Sequence, residues 1–520
     1  MSEERALAKS FGIISSSTFL SRILGLLRDI FSASLFGASL VWDAFLIAFM
    51  IPNLLRRLLG EGALTGSFVP VFTEYLEKKS KKEAWQLVSV VFSVLLVALV
   101  LIVLLGMWII SLLLNNFSFS IKIALILRLT RIMLPYIFFI SLVALSMGIL
   151  NSFKHFVIPA LSPIILNICW IVALFFICPR FGQELDQRIF GLALGILLGG
   201  MVQLVVQIPI LVKQGFNRSN IRFNFDLNHP GLRRIGRLMA PATLGLAVIQ
   251  INILVDIILG LILGNGAVSA LYYGNRLMQF PLGVFAIAMG TVVLPTMSSH
   301  VARNNIPRLK QTLSVALRMI FFITIPAAIG LMVLRFPIIT ALFQRGQFTS
   351  LSTNKAATTL FFYSIGLFAY AGVKIIVPCF YSFQDTITPV KIGAVALVSN
   401  VVLNLILMWP LREGGLALAT AISSMINFCI LFLILRKKIG NLDGKRIISS
   451  FSRILLAAFL MGLFCWLISG AVLSYPASLL HQILNIFILI LSGVFVFFAA
   501  SFVLRVEELK VVSRWILRRK

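Results

Sequence analysis

The sequence predicts an all-α polytopic membrane protein of fourteen transmembrane helices. Three observations predict it. The chain is 60% hydrophobic with a mean hydropathy of +1.03 and only 12% charged residues, too little polar surface for a soluble chain of 520 residues. Apolar runs long enough to cross a bilayer, about 20 residues each, recur along its whole length. The basic residues, which bring the net charge to +28, alternate between rich and poor loops. The N-terminus "MSEERALAKSFG" lacks the small-residue cleavage site that follows the apolar run of a signal peptide, so no cleaved leader is expected.

The expected spans cover residues 11–36, 43–60, 84–114, 122–150, 157–179, 188–212, 238–263, 268–299, 312–335, 356–380, 389–410, 414–435, 450–471 and 482–504. With this division the termini and even-numbered loops hold 28 Lys and Arg, and the opposite loops hold 7. Cytoplasmic loops carry the basic excess, so both termini are expected in the cytoplasm, and a missed span would scramble the alternation. The five cysteines (169, 178, 379, 429 and 465) show no metal or redox spacing and read as small packing residues. The four histidines form no ligand pattern.

Ten cations then remain inside spans: Arg22, Arg28, Arg56, Arg57, Arg128, Arg131, Arg276, Arg318, Lys374 and Arg453. The acids available are Asp29 and Asp256, with Asp43 and Glu61 at span ends, too few to pair them all. Charges in a membrane face a cavity or a partner. Arg318 and Arg453, near the cytoplasmic ends, are expected to snorkel; for Arg128 and Arg131 snorkelling and function stand level. Arg22 lies about 11 residues into the first span and Arg56 about 13 into the second, so both sit deep. Arg276 lies about 8 residues into span eight. Arg56 and Arg57 are about 100° apart on a helix, so Arg56 is assigned to a cavity and Arg57 to the headgroups. Pro52 is expected to break its helix.

A weak internal repeat organises the chain. "DAFLIAFMIPNLLRRLLGEGALTGSFVPVF" (43–72) resembles "SALYYGNRLMQFPLGVFAIAMGTVVLPTM" (269–297), with Ala44 matching Ala270 at an offset of 226. "NSFKHFVIPA" (151–160) resembles "YSFQDTITPV" (381–390) at an offset of 230. An even number of spans per copy gives a parallel repeat, a transporter architecture. The expected domains are an N-lobe of residues 1–212, a basic cytoplasmic linker at 213–237, a C-lobe at 238–436, and two extra spans with a basic tail at 437–520. An Arg-rich, acid-poor cavity between lobes suits a diphosphate, since guanidinium forks bind phosphate oxygens in pairs and stay charged.

Four stretches carry a family resemblance: "SRILGLLRD" (21–29), the 43–72 run, "YYGNRLMQFPLGVFAIAMGTVVLP" (272–295) and "LFQRGQFT" (342–349). They resemble the MurJ/MviN family of bacterial lipid II flippases over essentially the full length. The resemblance implies export of lipid-linked peptidoglycan precursor across the cytoplasmic membrane by alternating access. It implies that Arg22, Arg28, Arg56 and Arg276 match cavity arginines, that Asp29 and Asp43 match acids, and that the last two spans line a groove for the lipid tail. Asn275 and Gln279 stand where the family often has acids, so this cavity reads as more cationic.

No G-x-x-x-x-G-K-[ST] loop is present, so ATP hydrolysis by this chain is not expected. An ion gradient, the membrane potential or consumption of product is left as the driving force. Asp256 in span seven, Asn400 and Asn404 in span eleven and Thr420 in span twelve offer oxygen ligands suited to Na⁺. The reading the sequence favours for the same four residues is an interhelical hydrogen-bond network. Expected partners are lipid II, membrane lipids and the cell-wall synthesis machinery, with no nucleic acid and no resident cofactor. The competing functions are export of another polyprenyl-diphosphate-linked glycan, drug export, and an intramembrane enzyme. A cation exporter needs acids in its cavity, and an enzyme needs clustered carboxylates or histidines; neither pattern is present.

Overall fold

The structure, a computed structural model, describes residues 2–56, 63–217, 220–473 and 479–509. Arg57, Glu61 and most of the basic tail lie outside them. Every regular element among the described residues is helical. The chain divides into two compact units, Met1–Gln250 and Ile251–Lys520. The first holds α1 (Ser2–Phe36), α2 (Leu40–Leu55), α3 (Ala63–Lys78), α4 (Lys81–Asn116), α5 (Ile121–Met133), α6 (Tyr136–Ser152), α7 (Val157–Val172), α8 (Leu185–Gln214) and most of α9 (Pro230–Ile262). The second continues with α10 (Ala267–Pro281), α11 (Ile287–Ala302), α12 (Ile306–Val333), α13 (Arg335–Phe343), α14 (Ser350–Ile365) and α15 (Leu367–Ser382). It ends with α16 (Ile387–Leu411), α17 (Glu413–Ile439), α18 (Gly444–Leu473) and α19 (Leu479–Val503).

Among the described residues nine helices are long and apolar enough to cross a membrane, and eleven if each of two bent pairs is one span. The remaining expected spans fall on α1, α2 and α9, so the arrangement is compatible with fourteen. α9 starts at Pro230, inside the stretch read as linker; a proline at the first helical position gives up an N–H that has no acceptor there anyway.

The spans expected at 122–150 and 356–380 are each two helices. α5 and α6 meet at 42°, and α14 and α15 at 45°. At the first break Pro135 supplies no backbone N–H. At the second, a β-carbon on Gly366 would lie 2.8 Å from Ala421 Cα, so only glycine lets α17 come this close. Pro52, by contrast, does not break α2, which runs on to Leu55 before a wider turn at Arg56.

The two segments matched at 151–160 and 381–390 start from the same kind of turn, which also closes helices at Asn304 and Arg505. α6 and α15 end in the same turn, with Lys154 at φ 61° and Gln384 at φ 60°. In each, an amide reaches back five residues: His155 N donates to Leu150 O at 2.9 Å and Asp385 N to Phe380 O at 3.0 Å. α8 and α17 then return to these turns. His155 Nε2 lies 2.7 Å from Gln214 Nε2, and Lys438 Nζ donates to Asp385 at 2.8 Å.

Aromatic side chains fill the cores. In the first unit Trp42, Phe45 and Phe49 stack along α2, and Phe45 and Phe49 each set an edge against Trp170 of α7. A second cluster joins Phe72, Trp85 and Phe153. In the second unit Phe321, Phe368, Phe428 and Phe451 meet edge to face, and α18 packs on α12 with α19 beside it. The extra pair of helices thus belongs to the second unit.

Candidate functional site

The cations divide into held and exposed groups. On α1, Arg28 gives its Nε and Nη2 to Asp29 Oδ1 at 3.0 and 2.7 Å, and its Nη1 to Asn167 Oδ1 at 3.1 Å. Its guanidinium carbon lies 4.4 Å from the Trp170 ring centre. That contact is favourable because the indole face is electron-rich. Trp170 is itself fixed by donation to Ser32 Oγ at 3.0 Å, and Asn167 by donation to Ser21 O at 3.1 Å. Asp29 is fully buried. The plane and direction of Arg28 are therefore set by α1 and α7 together. Arg22 sits half-buried, farther back on α1.

Asp43 lies in the first turn of α2, where Ser39 caps the helix by accepting from Trp42 N at 3.2 Å. A carboxylate there also meets the positive end of the helix. It is fully buried and accepts from Lys122 Nζ of α5 at 3.1 Å. Lys122, read as a loop cation, is its partner. Arg56, half-buried at the end of α2, gives Nε to Asn53 Oδ1 at 2.9 Å.

In the second unit Arg276 is half-buried on α10. Asn275 and Gln279, one turn apart beside it, hydrogen-bond to each other. Tyr273 of the same helix is buried against Phe343 and Phe348 of the "LFQRGQFT" run, with ring centres 4.8 and 5.3 Å away. That run thus serves to fix α10. Arg128, Arg131, Lys374 and Arg453 are exposed on the helix surfaces. Arg318 corrects the expectation of snorkelling. It is 6% exposed and donates to Glu507 at 2.8 Å and Glu508 at 2.7 Å, just beyond α19. The two acids were invisible as partners because nearly 190 residues separate them from the arginine.

The four residues singled out from spans seven, eleven and twelve come together. Asn404 Nδ2 donates to Asp256 Oδ1 at 2.7 Å and to Asn400 Oδ1 at 2.8 Å. Thr420 Oγ1 lies 3.3 Å from Asp256 Oδ2 and 3.2 Å from Asn400 Nδ2. Asn252, one turn before Asp256, was missed; turned over, the Asn400 amide donates to its Oδ1 at 2.9 Å in place of accepting from Asn404. Asn400 and Asn404 are fully buried, and Asn404 Oδ1 has no hydrogen-bond donor. A buried oxygen without a donor is costly. The donors are all oxygens plus one carboxylate, a set that fits a hard monovalent cation. Among the described residues no cluster of His, Cys, Asp and Glu could hold a transition metal.

Comparison with known proteins follows this geometry. Residues 32–486 match the family model described as lipid II flippase MurJ. A probable lipid II flippase MurJ of Vibrio cholerae is 38% identical over 441 residues, covering 82% of each chain. That of Bdellovibrio bacteriovorus is 32% identical over 520 residues, covering 98% of this chain and 97% of its own. A solved structure titled lipid II flippase MurJ, inward closed conformation, superposes with a TM-score of 0.76 at 30% identity, over 94% of this chain and 97% of that one. A MATE multidrug transporter of the MOP superfamily shares the fold at a TM-score of 0.67 and 17% identity, over 82% of this chain and 96% of its own. The chain is a multi-pass membrane protein of the MOP fold and belongs to the lipid II flippase MurJ family.

Proposed function

We propose that this chain carries lipid II, the undecaprenyl-diphosphate-linked disaccharide peptide, from the cytoplasmic to the outer leaflet of the bacterial cytoplasmic membrane. It works as a transporter in peptidoglycan synthesis, with both termini in the cytoplasm. The observation that carries the reading is the match to a solved lipid II flippase along nearly the whole chain. Half-buried Arg22, Arg28, Arg56 and Arg276 on apolar helices support it, because desolvated guanidinium forks are matched to phosphate oxygens. In this mechanism Arg22, Arg56 and Arg276 take the diphosphate as access alternates, and Arg28 is aimed by Asp29, Asn167 and Trp170. Asp43, held by Lys122, sets the entry of α2. The extra helices α18 and α19 take the lipid tail.

For the Asp256 cluster, a carboxylate whose hydrogen-bond partners among the described residues are all neutral favours Na⁺ over a purely structural network. Asp256, Asn400, Asn404 and Thr420 would hold the ion, which would supply positive charge beside the Asp256 carboxylate.

The test is complementation of a flippase-depleted bacterium with wild type and with Arg22→Ala, Arg56→Ala and Arg276→Ala, scoring external lipid II. Wild type restores it, and the three variants insert normally but do not. Normal export by Arg56→Ala at normal expression would sink the cavity reading. Failure of a correctly inserted wild type would point instead to another polyprenyl-diphosphate-linked glycan.

A further inference from the structure

The first unit contains a cationic recess whose lining includes none of the arginines above. It lies where the first turns of α4 meet the segment 220–224, and it encloses about 520 Å³. Lys81, Lys82 and Arg222 line it together with the amides of Gln86, Asn220 and Asn224. No carboxylate is among the described lining residues. Glu83, the acid of the same turn, is engaged with Ser80 at 3.1 Å and Lys79 at 3.7 Å. Two lysines at the start of a helix meet its positive end, an arrangement that raises their repulsion unless an anion is present.

The recess is built rather than incidental. Arg222 N donates to Ser89 Oγ at 3.3 Å and Asn224 N to Ser93 Oγ at 3.0 Å, which fastens the segment along α4. Asn220 Nδ2 donates to Gly215 O at 2.9 Å. Trp85 lines the recess, is 1% exposed, and is wedged among Phe72, Phe153 and Phe216. Its indole N–H has no acceptor. Three cations with no carboxylate among the described lining residues call for an acceptor that carries negative charge.

We infer that this recess binds a phosphate-bearing anion. Lys81, Lys82 and Arg222 supply the charge, and the Asn220 and Asn224 amides supply directed donors. Two sources share that chemistry: a soluble diphosphate, and the headgroup of an anionic phospholipid at the membrane surface. The recess is separate from the arginines assigned to lipid II, so it stands or falls independently of that reading.

The experiment uses the purified full chain and a triple variant, K81Q/K82Q/R222Q. A control variant, R303Q/R308Q/K437Q, removes equal charge from exposed sites elsewhere. One arm measures equilibrium binding of inorganic pyrophosphate; the other measures retained phosphatidylglycerol by native mass spectrometry. In at least one arm the recess variant loses about tenfold in affinity or retention while the control stays near wild type. A loss confined to pyrophosphate names the soluble source, and a loss confined to phosphatidylglycerol names the headgroup. No loss in either arm for the recess variant, or equal loss in the control, overturns the inference.

Discussion

A guanidinium inside a membrane helix needs partners, and Arg28 and Arg318 both take theirs from beyond their own helix. Arg28 depends on Asn167 and Trp170 of α7 as well as on its neighbour Asp29. Asn167→Ala removes a hydrogen bond to a charged group, a loss of about 1.5–3 kcal/mol. The expected result is a lower melting temperature in detergent and reduced lipid II export with Arg28 still in place. Asn167 was legible as a lone amide in the apolar run 157–179, but nothing local in the sequence says which cation it meets. Asp256, Asn400, Asn404 and Thr420 were legible because oxygen side chains are rare in such spans and depth alone aligns them. The Asp256→Asn variant should lose Na⁺ dependence of transport; an unchanged dependence would leave the cluster a structural network.

At the scale of elements, hydrophobic length gave the spans well and their interruptions badly. The two bends come from Pro135 and from the close approach at Gly366, and the second cannot be seen until α17 is in place. Gly366→Val forces the Ala421 backbone away and is expected to cost about 1–3 kcal/mol, read as a drop in melting temperature. The turns at Lys154 and Gln384 were legible only as a matched pair of sequences. Both place a side chain in the left-handed region, which glycine occupies more easily. Lys154→Gly and Gln384→Gly should therefore leave stability unchanged or raise it slightly, whereas β-branched residues there should lower it.

For the whole molecule, charge decides how the second unit closes. Arg318, Glu507, Glu508 and Arg446 form one network between α12, the start of α18 and the residues past α19. Arg318→Ala would leave Glu508 buried without its counter-charge, at a cost of about 3–5 kcal/mol; Arg318→Met with Glu508→Leu should recover much of it. Outside the spans, the Lys438 ammonium holds the Asp385 carboxyl below the usual carboxylate range, and the Arg446 guanidinium, with Arg318, does the same for Glu507. A lowered folded pKa means the contribution is complete above the unfolded value, about 4, and is lost as pH falls through the folded value. Melting temperature should thus decline on acidification below about pH 4, and less steeply in Asp385→Asn. The count of basic residues was used to assign a side to each loop, but Arg318 was left to snorkel and Lys122 was counted as a loop charge when each was half of a buried pair.

The Arg318 network also has a place in time. The ribosome makes Arg318 189 and 190 residues before Glu507 and Glu508. At about 5–20 residues per second, the arginine waits on the order of 10–40 s for these carboxylates. During that interval α12 holds a cation whose native counter-ions do not yet exist. The second unit can therefore reach its final packing only after synthesis has passed Glu508. A chain stalled or cut before that point would keep an uncompensated charge at the α12 end, a mark that membrane proteases and chaperones can read as unfinished.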